Sequence, residues 1–250
     1  MSYRGYIPYM VKQMLIKRKY KQKTEGTGTD TKVRILELGI ADGVTAFPVC
    51  TNLMLLDCPY SYDGVDIRFS PSLREQYNNT IGLWENLTLH CQNTLRFLDP
   101  QTTNVGAQPK YDLVLIDGDH NYQTVKTECE LLTKFIDKNT ILIFDDYSGK
   151  YAETDSYYAD HEGYENNTLA TPAALSLEGS PSGVKVAVDD FIATNPEWRV
   201  ASLFREDESS AVLVINRQSP LWVYTSAQDQ KEEWAWLGAL FVNEKIGEES

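Results

Sequence analysis

Two short apolar runs, YDLVLID (111–117) and ILIFDD (141–146), lie either side of YQTVKTECELLTKFI (122–136). That intervening segment puts Val125, Cys129, Leu132 and Ile136 on one helical stripe. A strand, a helix and a strand in that order make the two strands parallel neighbours, joined by a right-handed crossover. Few features constrain a fold more, because a parallel sheet is stable only with helices on both faces.

The rest of the chain repeats the unit. VRILELG (33–39) is an apolar run rich in branched residues that ends at glycine, as a buried strand does. A helix over 44–56 follows, with Pro48 tolerable only in its first turn. YDGVDI (62–67) and NLTLHC (86–91) read as the second and third strands, separated by a helix that Ser70 and Pro71 open. GVKVAVDDFIATN (183–195) is a further helix. WRVASLF (198–204) and SAVLVINR (210–217) then stand too close for a crossover, so one of them runs antiparallel. The expected fold is α/β: a doubly wound, mostly parallel sheet of seven strands with a C-terminal antiparallel hairpin.

On this reading residues 31–218 form the main domain. Residues 1–30 are a basic N-terminal helix and linker, 148–181 a Tyr-rich, lid-like insertion, and 219–250 an aromatic C-terminal extension with Trp222, Trp234, Trp236 and Phe241. The first 23 residues carry seven Lys and Arg and no acid; an N-terminal helix lying on the domain is favoured over a membrane-surface helix. Over the full 250 residues the net charge is −13, which argues against nucleic acid as a partner. No apolar run is long enough to span a bilayer. Cys50, Cys58, Cys91 and Cys129 show no C-x-x-C pairing and read as reduced, packed thiols of a cytoplasmic protein.

In open α/β sheets ligands bind beyond the carboxyl ends of the strands, where strand order reverses. Glu37, Gly39, Asp66, Asp117, Asp145 and Asp146 all fall at such ends. The turn ELGIADGVT (37–45) lacks G-x-G-x-x-G, which weakens a nicotinamide or flavin reading. An acid at the end of the second strand suits the two hydroxyls of a ribose. Carboxylates ~4 Å apart repel by about 4 kcal/mol at an effective dielectric of 20, so the acids closing the fourth and fifth strands call for a cation or for raised pKa values. An all-oxygen set selects Mg²⁺ or Ca²⁺. Taken singly, Asp119 could instead cap the helix at 121–136 and Asp146 could turn the chain; a loop hydrogen bond is an equal alternative for His120.

ILELGIADG, GVDI, IDGDHNY and ILIFDDY, in this order, resemble the class I S-adenosylmethionine-dependent methyltransferases, and within them the metal-dependent macrocin and sugar O-methyltransferases. The resemblance spans about residues 33–216. It implies that Glu37, Gly39, Gly43 and Thr45 hold the methionine end of S-adenosylmethionine, that Asp66 takes the ribose, and that Gln92 and Asn93 edge the adenine. It implies Mg²⁺ on Asp117, Asp145 and Asp146, with Asp117 also bordering the cofactor, and Asp119 or His120 as general base. The implied partner is a small-molecule hydroxyl acceptor such as a sugar diol or catechol; a homo-oligomer is compatible. Two other readings stay open: a related enzyme of the same fold with another reaction (proteins described as cephalosporin hydroxylases are similar too), and a non-catalytic module that binds a nucleoside or metal.

Overall fold

A computed structural model describes residues 3–25, 32–80, 84–99, 110–164, 167–170, 179–205 and 209–219. The aromatic C-terminal stretch expected after residue 219, and part of the 148–181 insertion, lie outside the described residues. Seven strands form one sheet in the order β3-β2-β1-β4-β5-β7-β6. They are β1 (Val33–Leu38), β2 (Tyr60–Asp66), β3 (Leu87–Cys91), β4 (Leu113–Ile116), β5 (Ile141–Gly149), β6 (Trp198–Arg205) and β7 (Ser209–Asn216). β1 to β5 pair in parallel, and β7 runs antiparallel to both β5 and β6. The expected seven-stranded sheet with its antiparallel closing hairpin is present.

Both faces of this sheet are apolar because alternate residues of each buried strand point opposite ways. Leu113, Leu115, Ile141 and Ile143 join the core on one face; Val114, Ile116, Leu142 and Phe144 join the core on the other. The first face is covered by α1 (Tyr3–Glu25) and α2 (Ala46–Leu55), with Leu73 of α3 (Pro71–Asn79). The second is covered by α5 (Tyr122–Leu132) and α6 (Val184–Thr194), with Leu98 of α4 (Thr94–Leu98). Helix α4 was not read from the sequence, since five residues carry no period.

Helix α1 docks by a regular stripe. Ile7, Met10, Val11, Met14 and Leu15 are all buried, the i, i+3, i+4, i+7, i+8 spacing of one helical face. The helix packs on α2 and β1, and Tyr6 stands 5.5 Å from Phe204 of β6, centroid to centroid. This burial carries the start of α1, with Arg4, to the carboxyl rim of the sheet.

Three details depart from expectation. Cys91 is exposed, while Cys50, Cys58 and Cys129 are buried. Strand β5 does not stop at its acids but runs on to Gly149, with its pairing to β7 slipping between Phe144 and Ser148. Asp146 lies in this slip with φ +52, a left-handed conformation uncommon for any residue but Gly. Asp119 does not cap α5: Asn121 does, its side chain accepting from the Thr124 amide at 2.8 Å.

Candidate active site

Strand order reverses between β1 and β4, and the two strand ends meet at Gly39. With φ +93, Gly39 sits so close to β4 that an added Cβ would fall 1.9 Å from the Asp117 carbonyl oxygen. Only glycine lets these ends close up, which is why the ELG turn is a fixed point of the site. Gly43 (φ +74) does something else: its missing Cβ makes room for the Phe47 ring.

Beyond this point opens a cavity of about 630 Å³. Of the residues expected at the site, Gly39, Asp66, Asn93, Asp117 and Asp119 line it. Glu37, Gly43, Thr45, Gln92, His120, Asp145 and Asp146 stand outside its lining. Tyr158 and Tyr164 of the Tyr-rich insertion, expected as part of an aromatic lid, line the cavity too, and residues not foreseen join the wall: Ile67, Thr94, Leu95 and Thr124, with Leu169 and Ala170 from the insertion.

At one end of the cavity the partners are backbone groups. Asp66 accepts from the Ala41 amide at 2.8 Å through one oxygen and from the Arg68 amide at 3.0 Å through the other. Burial pushes its pKa up and those amides pull it back. Asn93 caps α4 by accepting from Leu95 N, and its amide donates to Leu169 O at 3.1 Å. Asn167 donates to Ile67 O, and Arg68 donates to Gly163 O with its guanidinium 5.1 Å from the Tyr164 ring centre. The insertion is thus laced over the ends of β2 and β3.

Asp155, which the sequence did not single out, anchors the insertion's near side. One of its oxygens accepts from Tyr122 N (2.8 Å) and Gly183 N (2.7 Å). The insertion then reaches Asp119, whose Oδ1 accepts from Tyr158 N at 3.1 Å. Burial raises the Asp119 pKa to about 6, against that amide and the nearby Asn121 and Thr124 side chains. Neither side chain makes a well-formed hydrogen bond to it: Asn121 Nδ2 and Thr124 Oγ1 are buried without a partner. Glu128 Oε2, one helical turn further on, is in the same state, while Glu128 Oε1 accepts from the Thr94 hydroxyl at 2.5 Å. Complete burial pushes Glu128 to about 8.

At the other end the acids crowd. Asp117 is held well above the usual carboxylate range, first by burial and then by the repulsion of Asp145. Arg4 meets both: its Nη2 lies 3.4 Å from Asp117 Oδ2 and 3.0 Å from Asp145 Oδ2. Its Nε donates to the Thr45 hydroxyl at 2.9 Å. Glu37, buried beneath, accepts from the Tyr62 hydroxyl at 2.8 Å; burial lifts its pKa to about 7, with Tyr62, Thr45 and Arg4 opposing. Asp146 turns the other way, its Oδ2 3.1 Å from His120 Nδ1. His120 stacks on Tyr151, centroids 4.9 Å apart, and burial lowers its pKa to about 4, so the ring is neutral near pH 7.

These residues fit S-adenosylmethionine. Gly39 permits close backbone approach, and Asp66 offers a carboxylate beside the apolar Ile67 and Leu95 of the cavity wall. They do not fit Mg²⁺ in the same way. Of the three expected ligands, two share a guanidinium and the third pairs with a histidine, and among the described residues no group of three or more Asp, Glu, His or Cys converges on one point.

Residues 36–147 match a family model described as a methyltransferase domain. No curated protein matches the chain. Solved structures similar to it include human methyltransferase-like protein 13 in complex with SAH (11% identity, 95% of this chain and 99% of that one, TM-score 0.49). Others are a ribosomal protein L11 methylase from Lactobacillus delbrueckii subsp. bulgaricus (11%, 77% and 73%, 0.44) and a putative O-methyltransferase from Nostoc punctiforme (12%, 83% and 59%, 0.44). The methyltransferase-domain match, which spans residues 36–147 on strands β1 to β5, supports an S-adenosylmethionine-dependent methyltransferase. No helix among the described residues is long and apolar enough to cross a membrane.

Proposed function

We propose that the protein methylates a hydroxyl of a small molecule, with Asp119 as general base. The observation that carries this reading is Asp119 itself: a carboxylate on the cavity wall, fixed by the Tyr158 amide, with its pKa raised to about 6. A base with that pKa is ionised at pH 7 yet basic enough to take a proton in a transition state. Bound in the cavity, S-adenosylmethionine supplies an electrophilic methyl group. Asp119 takes the hydroxyl proton as the oxygen–carbon bond forms and the carbon–sulfur bond breaks.

The remaining residues position and shield. Asp66 is suited to the ribose hydroxyls, and Asn93, Ile67 and Leu95 to the edge and faces of the base. Tyr158 and Tyr164 present aromatic surface on which a sugar or ring acceptor can pack, in keeping with the resemblance to the sugar O-methyltransferases. His120, neutral and tied through Nδ1 to Asp146, has Nε2 as its proton-accepting nitrogen, but the ring stands outside the cavity lining.

Asp119→Asn should lower kcat by ~10²–10⁴-fold while S-adenosylmethionine still binds. The wild-type rate should rise with pH to a plateau above about 6, the pKa of Asp119, and this limb should vanish in the variant. Wild-type turnover in Asp119→Asn removes the assignment.

A further inference from the structure

The acid end of the site raises a question that the proposed reaction leaves unanswered: what neutralises it. Glu37, Asp117 and Asp145 come from three adjacent strands: Glu37 from β1, Asp117 from just after β4, and Asp145 from within β5, just past its last pairing with β4. One side chain faces all three. Arg4 bonds Asp117 and Asp145 through a single nitrogen, fixes its other edge on Thr45, and lies near enough to Glu37 to oppose the rise in that residue's pKa. It is delivered by the start of a helix whose next twelve residues are anchored by five buried side chains, so its placement is built into the packing.

We propose that Arg4 is the resident cation of this site, standing between Asp117 and Asp145 where a divalent ion would otherwise sit, and that it positions these carboxylates for a metal-independent transfer. A guanidinium is permanently charged and presents several donors in one plane, so it can bridge carboxylates from two strands without a coordination shell. The consequence is exclusion. Mg²⁺ needs close to octahedral oxygen coordination and enters only if the guanidinium leaves. Removing Arg4 takes from Asp117 and Asp145 the countercharge they share, which favours the capture of a hard cation.

The inference deepens the methyltransferase reading and rests on the same site, but its test reads metal binding and so stands or falls separately from turnover. Mg²⁺ would be titrated calorimetrically into the chelator-treated full chain as wild type, Arg4→Gln, Arg4→Lys, Asp145→Ala and Arg4→Gln/Asp145→Ala, with thermal melts confirming that each is folded. Wild type should give no saturable Mg²⁺ signal. Arg4→Gln should gain one, at least about tenfold tighter than wild type, and the gain should disappear in the double variant. Arg4→Lys, which restores the charge without the fork, should return Mg²⁺ affinity toward wild type. A mere packing role for Arg4 would not move this readout. Wild-type Mg²⁺ binding that Asp145→Ala abolishes and Arg4→Gln leaves unchanged would overturn the proposal. A folded Arg4→Gln that stays silent to Mg²⁺ overturns it equally.

Discussion

The two ends of the cavity solve the same problem, a buried carboxylate, by opposite means. At the β2 end Asp66 is satisfied by amides 25 and 2 residues away in the chain, Ala41 and Arg68. At the β4–β5 end Asp117 and Asp145 depend on a guanidinium 113 and 141 residues away. The first arrangement is built from strand–turn units that fold locally. The second exists only once α1 has docked across the sheet. Local satisfaction makes a rigid recognition element; distant satisfaction makes one whose charge balance depends on the docking of a separate helix.

The sharpest way to break the comparison is at Gly39, where the two ends touch. Gly39→Ala places a methyl group against the Asp117 carbonyl at positive φ, so it should cost about 3 kcal/mol or more of stability by denaturant unfolding and disable both ends together. A variant of wild-type stability would mean that the β1 and β4 ends are not locked as described.

Next comes an effect confined to the β2 end. Asp66→Ala should weaken S-adenosylmethionine binding by ~10–100-fold, the loss of hydrogen bonds to a charged acceptor. The Mg²⁺ behaviour of the Arg4 variants should be little changed, because Asp66 is held by the Ala41 and Arg68 amides whereas Asp117 and Asp145 are held by Arg4. If Asp66→Ala altered Mg²⁺ binding in the Arg4→Gln background, the division into two ends would not hold.

A smaller effect belongs to the buried polar face of α5, under the middle of the cavity. Glu128 has a folded-state pKa raised to about 8 from an ordinary 4.5. The folded state therefore binds its proton more tightly than the unfolded chain does, so the stabilisation is complete below pH 4.5 and is lost as pH rises through about 8. Melts between pH 5 and pH 8 should show wild type losing stability, and Glu128→Gln should lose less over the same window. Parallel curves for the two proteins would remove the buried carboxylic acid from this account.

Much of the fold was legible because its signals are local. Apolar runs such as VRILEL and DLVLI, set between helical stripes, leave a parallel sheet as the economical solution, and the short spacing before SAVLVIN forces the final antiparallel pairing. Asp66, Asn93, Asp117 and Asp119 could be placed near one rim because each closes a strand or lies within three residues of its end. The roles of the acids were less legible. Asp119 looked like a helix cap, yet the capping geometry went to Asn121 two residues on. Asp145 and Asp146 looked like a pair aimed together, yet the slip in β5 and the left-handed backbone at Asp146 send them to different partners, Arg4 and His120.

The residues missed altogether share one property. Arg4, Asp155 and Glu128 act across long stretches of chain, and their local surroundings say nothing of it: Arg4 sits in a basic segment, Asp155 in a polar loop, Glu128 on a mixed helix. Burial at positions 7, 10, 11, 14 and 15 was readable as a helical stripe, and it was the one available clue that the N-terminal segment packs on the domain. By itself the sequence determined the strands, their mostly parallel order and which acids reach the carboxyl rim, since backbone periodicity and side-chain polarity act over a few residues. Tertiary structure alone decided which acids share a countercharge and which of them line the cavity. A charge pairing depends on distances across the sheet, and those are set by packing, which local pattern does not encode.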